Sequence, residues 1–192
     1  MKLGCVIMAA GSGSRFGGNK LLAELAGIPL YRRALEAVPE DVFEKIAVVT
    51  GCSTVAQAAR DKGFAVVSNR QPELGISLTI RLGLQAMADC GGVLFMAADQ
   101  PFLTAETVKR LAQAFLAQPD CIHAAAANGR RGNPCLFPAA LFPALLQLEG
   151  DTGGAKVIRA NPQLLRLTEV PARELLDADT PAALDGLTAE KH

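Results

Sequence analysis

Short, wholly apolar runs alternate along this chain with longer stretches in which apolar residues recur every three or four positions. Leu3–Ala9, Lys45–Thr50, Phe64–Ser68, Gly92–Ala97 and Cys121–Ala127 have strand length and almost no polar interruption, which predicts strands buried on both faces. Between them lie helical patterns. Pro29 suits the first position of a helix carrying Leu30, Ala34, Leu35 and Val38, and Ser53 or Thr54 suits the cap of a helix running through Arg60. Ser77 suits the cap of a helix bearing Ile80, Leu84 and Met87. Thr104 suits the cap of one bearing Val108, Leu111, Ala112 and Phe115. Two further helices and a last strand near Leu164–Glu169 complete the pattern. The expected fold is α/β, a Rossmann-like three-layer sandwich with a mostly parallel sheet, and residues 1–192 read as a single domain. In such sheets ligands bind beyond the carboxyl ends of the strands. Both the glycine loop after the first strand and Asp99 after GVLFMA lie there.

Composition sharpens this. Nineteen basic against nineteen acidic residues give a formal net charge of zero, which argues against a chain that coats nucleic acid or a membrane surface. The balance is uneven. Residues 1–35 hold five basic residues and one acid, whereas residues 169–192 hold six acids and two bases. Five scattered cysteines without a Cys-x-x-Cys or Cys/His pair predict neither a zinc site nor a disulfide framework. The apolar N-terminal run is too short to span a bilayer, and the expected compartment is the cytoplasm.

Residues 9–20, AAGSGSRFGGNK, carry the strongest chemical signal. A dinucleotide fingerprint fits Gly11 and Gly13 but meets Phe16 where helix packing needs a small residue. KIAVVT also ends in Thr50, not in a ribose-binding acid. A P-loop fails because Asn19 separates Gly18 from Lys20 and Leu21 brings no hydroxyl. What remains is a loop whose backbone amides can close on phosphates, with Arg15 as a planar fork and Lys20 as a point charge. Asp99 closes a buried strand, where a carboxylate needs a cation or donors. Asp177 and Asp179 share a face if extended, and either also suits a helix cap. Asn128–Pro134 reads as a turn, with Arg130 and Arg131 suited to an anionic phosphate.

These segments together resemble the MobA-like nucleotidyltransferase family, most closely its molybdenum cofactor cytidylyltransferase branch. The blocks are AAGSGSRFGGNK (9–20), PELGISLTIRLGL (72–84), ADQPFLT (98–104), RGNPCLF (131–137), GDTGGAKVI (150–158) and LLDADTP (175–181). The resemblance implies a sheet of the nucleotide-diphospho-sugar transferase type. It implies transfer of CMP from CTP to the phosphate of molybdopterin, with Mg2+ and release of pyrophosphate. It places the nucleotide on Ala9, Ala10, Gly11, Gly13, Arg15, Lys20, Ser77 and Asp99, with Arg15, Lys20 and Asp99 catalytic. Metal ligands are then Asp99 with Asp179, ahead of Asp177. The acceptor falls to Arg130, Arg131, Asn133 and Asp151, with Asn133 standing where the branch usually has His. A recipient molybdoenzyme or an insertion chaperone is the implied partner. Guanylyl transfer from GTP and sugar-phosphate nucleotidyl transfer are the near alternatives. A non-catalytic carrier and a nicotinamide-dependent oxidoreductase are the distant ones.

Overall fold

A computed structural model describes residues 1–11 and 19–178. Strand β1 (Leu3–Ala9) is followed among the described residues by a two-stranded hairpin, β2 (Glu24–Leu25) and β3 (Ile28–Pro29), then helix α1 (Leu30–Glu36). Next come β4 (Lys45–Thr50), α2 (Ser53–Asp61), β5 (Ala65–Ser68), α3 (Ile76–Gln85), β6 (Gly92–Ala97) and α4 (Ala105–Ala117). The remainder is β7 (Ile122–Ala127), β8 (Arg130–Pro138), α5 (Phe142–Leu146), α6 (Ala155–Ala160) and β9 (Leu165–Glu169).

The main sheet has the order β5-β4-β1-β6-β8-β7-β9. Four of its pairings are parallel, and β8 pairs antiparallel with both β6 and β7. The strand period of two divides the core between the faces. Leu3, Cys5, Ile7 and Ala9 of β1 pack with α1, α2 and α4, whereas Val6 packs with α3, α5 and α6. Helices therefore cover both faces, which is why the central strands carry no polar face.

Several local expectations change. Segment 130–138 is a nine-residue strand, not the tail of a turn; only Asn128 and Gly129, both at positive φ, make the turn. Gly132 and Pro134 suggest a break, but β8 meets β7 through a register irregularity between Ala124 and Ala126, which accommodates them. Pro29 precedes α1 as its N-cap and belongs to β3. Cys52, not Ser53 or Thr54, occupies the N-cap of α2; the Thr50 hydroxyl accepts from the Cys52 N–H at 3.1 Å and turns the chain there. Thr104 caps α4 as expected, accepting from the Thr107 N–H at 3.2 Å.

Candidate active site

The carboxyl ends of β1 and β6 open on a cleft of about 280 Å3. Its wall includes Ala10 and Gly11 after β1, Lys20 and Asp99, Gly75 and Ile76 at the start of α3, and Asp151. Lys20 opens a short 3-10 turn whose cap, Asn19, accepts from the Leu21 N–H at 3.1 Å. That turn aims the ammonium at Asp99, and the two form a salt bridge. Their side chains are only 16% and 19% exposed, so the pair is held largely out of water. This answers the cost of ending an apolar strand on a carboxylate.

Asp99 has a second neighbour. The Ala178 N–H donates to the Asp99 carbonyl at 2.9 Å, and Ala178 is fully buried beside Leu25 and Leu30. Ala178 is thus brought to the metal-site candidate, with Asp177 one residue away and exposed. Gly13, Arg15 and Asp179 lie outside the described residues. Among the described residues no three His, Cys, Asp or Glu side chains gather into a metal-binding group. Asp99 with one adjoining acid is nevertheless a sufficient donor set for Mg2+, which keeps waters and phosphates as its other ligands.

Ser77 is placed differently from expectation. It is not the cap of α3: Gly75 is, at φ 88°, and Ser77 sits fully buried in the first turn with its hydroxyl unpartnered. The cause is remote. A Cβ on Gly75 would lie 2.3 Å from the Gly150 carbonyl, and the Ser77 N–H donates to that same carbonyl at 3.2 Å. The backbone contact seats Gly150-Asp151 against α3 and brings Asp151 to the cleft, while Gly75 and Ile76 take the lining position assigned to Ser77.

The paired arginines separate because they occupy successive positions of β8, where side chains alternate. Arg131 lines a second cavity of about 210 Å3, and Arg130 is exposed at the hairpin end. That cavity shares Met8 and Ile76 with the cleft and is otherwise mostly apolar, with Ile80, Phe95, Phe137 and Leu145 in its wall. Asn133 also lines it, but its Oδ1 accepts from the Ala97 N–H at 2.8 Å. The side chain thereby extends the β6–β8 pairing past its last partners, Phe95 and Cys135, and holds the strand end two residues before Asp99. Burial pushes the Cys135 thiol up, so it stays protonated and unreactive.

A third cavity, about 500 Å3, continues past Ala10 and Gly11 to Ser53, Asn69 and Arg70. Motif reading passed over Asn69, which donates to the Thr79 hydroxyl at 3.0 Å and accepts from the Gln71 N–H at 3.0 Å. A lone Asn after a short strand carries no motif; only its burial between β5 and α3 marks it.

The chain is 30% identical over 175 residues to nicotine blue oxidoreductase of Paenarthrobacter nicotinovorans, covering 85% of each chain. It is 31% identical over 176 residues to the molybdenum cofactor guanylyltransferase of Cupriavidus metallidurans, covering 86% of this chain and 83% of the relative. A nucleotidyl transferase from Methanothermobacter thermautotroptrophicus has the same fold, with a TM-score of 0.80 at 21% identity over 98% of this chain and 97% of the other. The architecture is of the nucleotide-diphospho-sugar transferase type. The family described as MobA-like NTP transferase domain matches residues 5–167. With its family match over most of its length and its Lys20–Asp99 pair at the carboxyl ends of the central strands, the chain belongs to the MobA-like NTP transferase family and is a nucleotidyltransferase.

Proposed function

We propose that the protein transfers CMP from CTP to the terminal phosphate of a molybdopterin-type cofactor, releasing pyrophosphate. The observation that carries the reading is the convergence of Lys20, Asp99 and Asp151 on one cleft that adjoins an apolar cavity bearing Arg131. The triphosphate would lie along Gly11, Arg15 and Lys20, with Lys20 exchanging Asp99 for a phosphate oxygen. Asp99 and the acidic segment 177–179 would hold Mg2+. An ion held there would supply positive charge against the negative charge that builds on the departing pyrophosphate. The acceptor phosphate is already anionic near neutral pH, so the reaction needs orientation and charge neutralisation and no general base. Arg131 would pair with that phosphate while the apolar wall takes the flat part of the acceptor.

The third cavity would take the base. Its described charged lining is Arg70, beside the amide side chains of Asn19 and Asn69. A guanidinium can donate to cytosine O2 and N3 and equally to guanine O6 and N7, so the choice of base is read from the comparison of nucleotides. All five cysteines are free thiols, which fits the cytoplasm, where a recipient molybdoenzyme or its insertion chaperone would take the product.

The test is pyrophosphate release with Mg2+ and reduced molybdopterin, comparing CTP, GTP and ATP. CTP should be preferred at least about tenfold, the worth of one well-made discriminating contact. Release with GTP alone would give the guanylyl reading, which the Cupriavidus relative favours. No release with any nucleotide would turn attention to a carrier, or to the redox chemistry named for the Paenarthrobacter relative.

A further inference from the structure

Residues Pro171–Ala178 run back along the loop joining β6 to α4 and touch it at four places. Arg173 lays its guanidinium 3.9 Å from the centre of the Phe102 ring. Glu174 accepts from the Thr104 N–H at 3.0 Å and from the Thr104 hydroxyl at 2.9 Å. Gln100 donates its side-chain amide to the Leu175 carbonyl at 3.4 Å, and Ala178 donates to the Asp99 carbonyl at 2.9 Å.

Glu174 is the strongest of these anchors. It is buried, and a buried carboxylate is costly unless donors and positive potential meet it. Here both donors come from the N-cap of α4, whose N-terminal end favours negative charge. Glu174 is not among the residues lining the cleft, so substrate contact is not its task. Asp177 follows three positions later, a reach of at most about 11 Å. Upstream, the previous hold on the backbone is at Val170, whose N–H donates to Ala126 at 2.8 Å. Without Glu174, the segment would keep the Gln100–Leu175 and Ala178–Asp99 hydrogen bonds but lose both of its links to the N-cap of α4.

We propose that Glu174 is a positioning residue that straps segment 171–178 to the start of α4 and so fixes Asp177 and Ala178 beside Asp99. The inference rests on the reading of Asp99 and that segment as the metal site.

Two measurements on the full chain test it: hydrogen exchange of residues 175–178, and binding of Mn2+ alone followed by electron paramagnetic resonance. Glu174→Ala should speed exchange in that segment about tenfold, the loss expected for a charge-assisted hydrogen bond, while β1 keeps its protection. Its Mn2+ affinity should fall by about the same factor. Glu174→Gln keeps a carbonyl acceptor for Thr104 and should stay within about threefold of the unaltered protein on both readouts. Unchanged exchange in Glu174→Ala, or faster exchange with unaltered Mn2+ affinity, would overturn the strap. Asp99→Asn separates the two readings: if it binds Mn2+ as tightly as the unaltered chain, the metal assignment fails and the exchange rates alone decide the strap. Should Glu174→Ala not fold, Arg173→Ala removes only the stacking on Phe102. It is read the same way, with effects of about threefold.

Discussion

At Asp99 a carboxylate ends a strand whose interior is apolar, and its partner Lys20 arrives from the turn after the glycine loop. If Asp99 organises the charge of the reacting phosphates, Asp99→Asn should lower kcat by about 100-fold or more, with the nucleotide KM changed far less. Steady-state kinetics over a range of Mg2+ concentrations check this, and a variant with unaltered kcat would remove Asp99 from the metal site. His123 makes the opposite case, a titratable residue spent on structure. Burial, and secondarily the Arg166 charge, hold its pKa below the usual 6.5, although the Gln118 carbonyl at 3.1 Å acts against them. The unfolded chain therefore binds the proton more readily than the folded one. Stability should be highest above pH 6.5 and fall as pH drops from there through the folded-state value. Urea midpoints at pH 7.5 and 5.5 should show that loss, and a His123→Leu variant should lose less over the same interval.

Elements of the fold place these side chains through contacts remote in sequence. The start of α3 is set by Gly75 against Gly150, with no room for a Cβ between two backbones. Gly75→Ala should destabilise the protein by about 2 kcal/mol or more, since φ 88° is itself unfavourable for Ala, and should displace Asp151 from the cleft. Urea denaturation together with acceptor KM measures both effects; a loss of stability with unaltered KM would mean that Asp151 does not bind the acceptor. β8 acts similarly on β6. Its Asn133 side chain continues the strand pairing where the backbone ladder stops. Asn133→Ala should cost about 1–3 kcal/mol by leaving the Ala97 N–H without its acceptor.

For the whole molecule, the cleft draws on segments spread from Met8 to Asp151, and binding there should report on global stability. A nucleotide bound with its metal at a concentration 100 times Kd adds about 2.7 kcal/mol, which for a chain of this size raises Tm by about 5–10 °C. The rise should appear with CTP and Mg2+ and shrink when a chelator replaces the metal; an equal rise in both would show that the nucleotide binds without it. Much of this architecture was legible in the sequence. The strands Leu3–Ala9, Lys45–Thr50 and Gly92–Ala97 follow directly from unbroken apolar runs, because burial on both faces leaves no polar position to confuse the period. The Thr104 cap was equally plain, since a cap is made within four residues. Lys20, Asp99 and the late acids stood out as residue types, by motif and by the cost of leaving them unpaired. The meeting of Lys20 with Asp99, and of the Ala178 backbone with Asp99, was decided by tertiary structure alone. Gly75 instead of Ser77 at the cap, the separation of Arg130 from Arg131, and the turn of Asn133 toward β6 were decided in the same way. Local composition sets which backbone conformations are cheap, whereas strand partners and backbone approaches between distant segments select among them, and no window of sequence contains those partners.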